Sequence, residues 1–187
     1  LVIRTKHGNV FHTGDWKLDP APQIGDVTDE AKLRRLGDEG VVAVMGDSTN
    51  ALNPGRSGSE EEVRKGLAEV IAAQPNRVVV TCFSSNVARI HSVALAAQQA
   101  GRQCAMVGRS LWKIMEAAQS TGYMTDLPEP FVREDQAGYI PRDKIVLICT
   151  GSQGEARSAL SRIAGDSHPH ITLEAGDTVV FSAREIP

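Results

Sequence analysis

The sequence predicts an α/β fold: a doubly wound, mainly parallel sheet, preceded by a short segment of different organisation. Three observations carry that prediction. From Val41 onward, short apolar runs alternate with amphipathic stretches. The runs lack polar alternation, as strands covered on both faces do, and each ends in a cluster of small polar residues. The first forty residues instead place two strands on either side of a tight turn, which is no part of that repeat.

In order, Leu1-Val2-Ile3-Arg4-Thr5 and Asn9-Val10-Phe11-His12-Thr13 flank Lys6-His7-Gly8 and read as a hairpin. A loop with Asp19-Pro20-Ala21-Pro22 follows, then a short helix from Asp29 to Leu36. Val41-Val42-Ala43-Val44-Met45 is a strand running into Gly46-Asp47-Ser48-Thr49-Asn50. The turn-rich Asn53-Pro54-Gly55 marks a boundary, dividing the chain into residues 1-53 and 54-187. Ser59 with Glu62 forms a capping box, and Val63, Leu67, Val70 and Ile71 form an apolar stripe behind it. The strand Arg77 to Phe83 ends in Ser84-Ser85-Asn86. A second helix then runs from about Asn86 to Ala100, with Ser85 as N-cap and Gly101 just past its end. Gln103 to Val107 is a strand ending in Gly108-Arg109-Ser110. The third helix, Ser110 to about Ser120, places Leu111, Ile114, Met115 and Ala118 on one face. Lys144 to Cys149 ends in Thr150-Gly151-Ser152-Gln153-Gly154, and a fourth helix from about Glu155 to Ala164 stops at Gly165. Repeated strand–helix–strand units imply right-handed crossovers.

Composition narrows the function. Of 187 residues, 41% are hydrophobic and 23% charged, the balance of a folded domain rather than a disordered chain. Aromatics are only 4%, which argues against a nucleic-acid surface of many stacked rings. The formal charge of −3 creates no global field for polyanions, so a phosphate site has to be local. Cys82, Cys104 and Cys149 sit at wide spacings among apolar neighbours, suiting buried thiols in a reducing cytosol better than disulfides or a zinc knuckle. The apolar runs fall far short of the ~20 residues needed to cross a bilayer.

Ligands of open parallel sheets collect beyond the carboxyl ends of the strands. The clusters at Gly46–Asn50, Ser84–Asn86 and Thr150–Glu155 offer hydroxyls and backbone N–H groups there, and Arg89 lies one turn inside a helix. They suit a phosphate or nucleotide-backbone site, or simply strand–helix turns and caps. The glycine spacing matches neither a P-loop nor a dinucleotide fingerprint. Asp15, after a glycine at a strand end, is a hard oxygen donor, or else a turn residue. His168-Pro169-His170 reads as a solvated surface pair, while His91 falls on the second helix and His7 in the hairpin turn.

Taken together, four segments stand in the order found in the ribonuclease J family, which the chain resembles over essentially its whole length. They are His12-Thr13-Gly14-Asp15-Trp16-Lys17-Leu18-Asp19-Pro20, Gly46-Asp47-Ser48-Thr49-Asn50, Phe83-Ser84-Ser85-Asn86-Val87-Ala88-Arg89-Ile90, and Thr150-Gly151-Ser152-Gln153-Gly154-Glu155 with Ala159-Leu160-Ser161-Arg162. Gly108-Arg109-Ser110 and Gly176-Asp177-Thr178-Val179-Val180-Phe181-Ser182-Ala183 fit the same pattern. The resemblance implies a partial metallo-β-lactamase domain over residues 1-53 and a β-CASP domain over 54-187. It implies a parent hydrolase of the cytoplasm that uses two zinc ions, with endonuclease and 5′-to-3′ exonuclease activities in RNA maturation and decay. RNA is the implied partner and no membrane is involved; whether the parent is a homo-oligomer stays open. Asp15 would be the metal-bridging carboxylate. Ser48 and Arg89 would lie near the pocket for an RNA phosphate, with Asn86 as a neighbour.

The departures from the family pattern shape the expectation. Its His-x-His-x-Asp-His motif, its downstream Ser-Gly-His segment and its final ligand histidine do not occur in this chain. Asp15 alone cannot hold two zinc ions, so the chain by itself is expected to lack zinc and hydrolytic activity and to contribute RNA phosphate contacts. Its start on Leu1 without Met is expected of an internal piece of a larger nuclease. Smaller departures are Ala88 where the family often has His, Ala156-Arg157 after Gly154-Glu155, and Arg184-Glu185 in the last strand. Two other readings stand beside this one: a structural clamp or interaction domain, and a phosphate-binding domain for a small nucleotide.

Overall fold

The structure, a computed structural model, describes residues 1–127 and 129–184. The chain divides into two compact units, Leu1–Ser59 and the remainder from Glu60.

In the first unit, β1 (Val2–Thr5) and β2 (Gly8–His12) form the antiparallel hairpin, with Thr5 opposite Gly8 and Lys6-His7 as its turn. After α1 (Glu30–Asp38), β3 (Val41–Met45) lies parallel to β2, giving the order β1-β2-β3. Asp29 caps α1 by accepting from the Lys32 N–H at 2.8 Å. Gly8 is required where it stands: its φ is +128°, and a Cβ there would lie 2.5 Å from Val42 Cγ1. One expectation fails here. β3 is not covered on both faces; Val42 and Val44 are 65% and 64% exposed. An edge strand with β2 as its one neighbour, in a unit with one short helix, has too little partner surface to bury two faces.

The second unit runs α2 (Glu60–Ala73), β4 (Val78–Thr81), α3 (Val87–Gln99), β5 (Gln103–Val107), α4 (Arg109–Ser120), β6 (Val132–Arg133), α5 (Glu134–Ala137), β7 (Ile145–Cys149), α6 (Ala159–Ala164) and β8 (Thr178–Phe181). The sheet order is β6-β5-β7-β4-β8 and every pairing is parallel. Register explains the two-faced core. Val79, Leu147 and Ala105 lie in one row, and with Val107 and Cys149 they pack against Ala137 of α5 and Ala159, Leu160 and Ile163 of α6. Val78, Val80, Met106, Val146 and Ile148 alternate to the opposite face and are fully buried. The right-handed crossover from β4 to β5 puts α3 on that face, with α2 packed on α3. The α/β, doubly wound, parallel architecture is therefore the one expected.

A buried ion cluster joins the two ends of the unit. Asp177 accepts from Arg77 Nε and Nη2 at 3.0 and 2.5 Å and from Arg142 Nε and Nη2 at 2.9 and 2.7 Å. Burial alone would raise its carboxyl pKa. Hydrogen bonds from Arg77, the Glu174 N–H and Arg142 instead hold it below the ordinary value.

Several local expectations are corrected. The N-cap of α3 is Asn86 rather than Ser85, because the Asn86 side-chain Oδ1 accepts from the Arg89 N–H at 3.0 Å. α6 starts at Ala159 rather than near Glu155. Ser158 caps it, and the Glu155 carboxylate bonds back to the Gln153 N–H, holding that stretch as a turn. β8 ends at Phe181, so Arg184 lies beyond the last strand; Glu185 is outside the described residues. His168 is not a solvated surface residue: it is 8% exposed, one side of a cleft, next to a loop anchored by buried Ile171. Its burial pushes the imidazole pKa below the ordinary value, opposed by Glu134 and aided by Arg162 and His170.

Candidate functional site

Parallel pairing of β2 and β3, with His12 opposite Met45, makes both strands end at the same edge of the first sheet. The loop carrying Asp15 and the loop carrying Ser48 leave side by side. They are stitched together: the Thr13 N–H donates to the Met45 carbonyl at 2.9 Å, the Asp47 N–H to Thr13 Oγ1 at 3.3 Å, and Trp16 Nε1 to the Asp47 carbonyl at 3.1 Å. Asp15 and Ser48 are both exposed at this edge. Asp47 accepts from the Thr49 N–H at 2.9 Å and from the Thr49 hydroxyl, an Asx-type turn that holds its carboxyl below the ordinary pKa. Asn50 accepts through Oδ1 from Asn53 Nδ2 at 3.0 Å. The result is a hydrogen-bonded polar edge that presents the Asp15 carboxylate and the Ser48 hydroxyl at exposed positions.

Asn86 and Arg89 belong to the second unit, where β4 passes into α3. Asn86 spends its side-chain Oδ1 on capping. Arg89 is 8% exposed, and its guanidinium is taken up by protein. Nε and Nη2 donate to the Glu60 carboxylate at 3.3, 3.0 and 3.1 Å, and Nη1 donates to the Ser182 carbonyl and hydroxyl at 2.6 and 2.7 Å. Arg89 thus ties together the starts of α2 and α3 and the exit of β8. To reach a phosphate it would have to give up Glu60. Neither Glu60 nor Ser182 is signalled as its partner by local sequence, since both lie far from it along the chain.

The Thr150–Glu155 loop is shaped by close contact. Gly151 has φ +119°, and a Cβ there would stand 2.5 Å from Ser158 Oγ and 2.8 Å from Leu160 Cβ. Thr150 holds the start of α6: its hydroxyl accepts from the Ala159 N–H at 3.1 Å and its carbonyl from the Leu160 N–H at 2.9 Å. Nearby, Cys82 and Cys149 are buried free thiols, their pKa values pushed up to about 11 and about 12 by burial, so they are protonated and poor nucleophiles at neutral pH. Cys104 is partly buried and shifted in the same direction by the same cause.

A zinc pair needs several N or O donors converging on each ion. Among the described residues no three His, Cys, Asp or Glu side chains gather into such a set. The residues present do not fit a dinuclear site. Among the described residues, no helix is long and apolar enough to cross a membrane.

A parallel sheet wound on both faces, with polar loops at its strand ends, defines the doubly wound α/β class, in which ligands meet the loops beyond the carboxyl edge. Comparison with known proteins narrows that class. The family described as "Ribonuclease J, beta-CASP domain" matches residues 75–187. Along all 187 residues the chain is 52% identical to a ribonuclease J of Sinorhizobium meliloti, 42% to one of Thermus thermophilus and 42% to one of Mycolicibacterium smegmatis. It spans 33%, 32% and 34% of those proteins, about a third of each. The chain belongs to the ribonuclease J family and contains its β-CASP domain.

Proposed function

We propose that the chain is the RNA-contacting part of a metal-dependent ribonuclease that cuts RNA phosphodiesters both internally and from the 5′ end, in the cytoplasm. The carrying observation is similarity along every residue of the chain to proteins named ribonuclease J. In this reading residues 1-53 belong to a metallo-β-lactamase domain and 54-187 to the β-CASP domain. Asp15 would supply one oxygen ligand to a zinc pair whose other ligands the chain does not contain, so no hydrolytic step is assigned to the chain itself. Ser48, exposed on a turn stiffened by Asp47 and Thr49, is the hydroxyl best disposed to donate to an RNA phosphate. Within the second unit, Asn86 and Arg89 at the start of α3 would contribute to RNA phosphate contacts, Arg89 mainly by fixing the helix end against Glu60.

The test is fluorescence anisotropy of the purified chain with a 5′-monophosphorylated single-stranded RNA, followed by incubation with zinc and electrophoresis of the RNA. Weak binding that Ser48→Ala reduces, without cleavage, is expected. Zinc-dependent cleavage would overturn the claim that essential ligands are missing. Binding that is absent would favour the clamp reading, for which the Arg89–Glu60–Ser182 tie speaks.

A further inference from the structure

The strand order creates a second polar feature that none of Asp15, Ser48, Asn86 or Arg89 lines. From β5 the chain crosses outward through α4 to β6, whereas from β7 it crosses the other way through α6, past β4, to β8. By the right-handed rule these crossovers lie on opposite faces, as the packing of α6 on the Val79–Leu147–Ala105 face confirms. β5 and β7 are paired up to Val107 and Cys149, so their carboxyl ends form a topological switch point where the two departing loops separate.

A cleft of about 610 Å³ opens at that point, between Gly108, where the chain leaves β5, and Thr150, where it leaves β7. Its charge is opposite to that of the chain. Arg109, Lys113, Arg157 and Arg162 line it against one carboxylate, Glu134, in a chain of formal charge −3. Glu134 is already engaged, accepting the Gly108 N–H at 3.1 Å. Elsewhere in this unit Arg77, Arg89, Arg102 and Arg142 are matched to carboxylates or carbonyls. The four cleft cations are not: their side chains make no hydrogen bond or ion pair among the described residues. They come from α4, the Thr150–Ser158 loop and α6, so a solvated stripe on one helix does not account for their convergence. No side chain caps α4, whose first N–H groups open at the same place. The nearly buried imidazole of His168 closes one wall.

We propose that this switch-point cleft binds a nucleotide phosphate, gripped by Arg157 and Arg162 and seated against the uncapped start of α4. The phosphate could come from a free mononucleotide or from within an RNA strand; the strand source rests on the ribonuclease reading, and the mononucleotide source does not.

The test is an amide NMR titration of the 187-residue chain with AMP, with adenosine, and with a single-stranded RNA decamer bearing a 5′-hydroxyl. Saturable shifts at Gly108, Ser110 and Thr150 are expected with AMP or the decamer and not with adenosine. The doubly charge-reversed R157E/R162E variant should weaken binding about tenfold or more. Shifts with AMP identify a mononucleotide source, and shifts with the decamer alone identify strand phosphates. No shifts with either, or shifts that persist in the variant, overturn the proposal. Shifts confined to Ser48 and its neighbours also overturn it while sparing the ribonuclease reading. Both substituted side chains are exposed; should the variant lose its native spectrum, R157Q/R162Q makes the same test.

Discussion

Arg89 and Glu60 form a two-pronged ion pair, with Nη2 at 3.0 and 3.1 Å from the two carboxylate oxygens, that joins the first turns of α3 and α2. The side chains are 9% and 20% exposed, so the pair is largely shielded from solvent. Removing one partner of such a pair leaves the other poorly solvated. Arg89→Ala is therefore expected to cost about 3 kcal/mol, lowering the melting temperature by about 10 °C in a domain of this size. Calorimetry checks this: a variant melting within about 2 °C of the parent would show that the guanidinium is not structural. The same result governs RNA titrations, because lost binding in Arg89→Ala counts as a lost contact only once the fold is shown intact.

The Asp177 cluster predicts a pH dependence. The carboxyl is depressed in the folded protein, so its contribution is fully present above the unfolded value near 3.8 and is lost as pH falls through the lower folded value. Asp177 is 2% exposed and Arg77 7%, so neutralising the carboxylate strands two arginines. Asp177→Asn should cost about 3–5 kcal/mol at pH 7 and flatten the loss of stability below pH 4. Urea melts of both proteins from pH 7 down to pH 2.5 decide it; parallel curves would remove Asp177 from the acid response.

Gly151 predicts a backbone effect. Alanine there must adopt φ +119° and place Cβ 2.5 Å from Ser158 Oγ, against the residue that caps α6. Gly151→Ala should destabilise by about 2 kcal/mol or more and raise amide exchange in α6. Exchange unchanged from Ala159 to Ala164 would contradict that coupling.

How much of this was legible follows from where each signal lies. β4, β5 and β7 announce themselves because strands covered on both faces must be apolar at every position, as Val78–Val80 and Ile145–Cys149 are. β6 does not: it is a two-residue edge strand, Val132–Arg133, with no apolar run. The loops of Asp15 and Ser48 stand out by their small polar residues, and parallel pairing brings them together. The engagement of Arg89 by Glu60, 29 residues away, has no local signature. His168 sits among polar neighbours, and tertiary packing alone buries it. The cleft cations are drawn from three elements whose adjacency depends on the crossover direction, which a one-dimensional reading does not display.

Two buried serines of the second unit should respond with opposite sign. Ser92 lies inside α3 with 0% exposure, and its hydroxyl has no hydrogen-bond partner. Ser158, 8% exposed, accepts the Ser161 N–H at 3.2 Å and donates to Ser161 Oγ at 3.0 Å, closing the start of α6. An unsatisfied buried hydroxyl opposes folding, and alanine is the better helix former, so Ser92→Ala should be neutral or stabilising by up to about 1 kcal/mol. Ser158→Ala removes a working cap and should cost about 1 kcal/mol. Both substitutions delete the same single oxygen, so side-by-side denaturant titrations isolate the hydrogen bond from the packing. Equal losses in the two variants would mean that the Ser92 hydroxyl is satisfied after all, and that α3 is held at this point by a polar contact rather than by its apolar neighbours Ile90 and Val93.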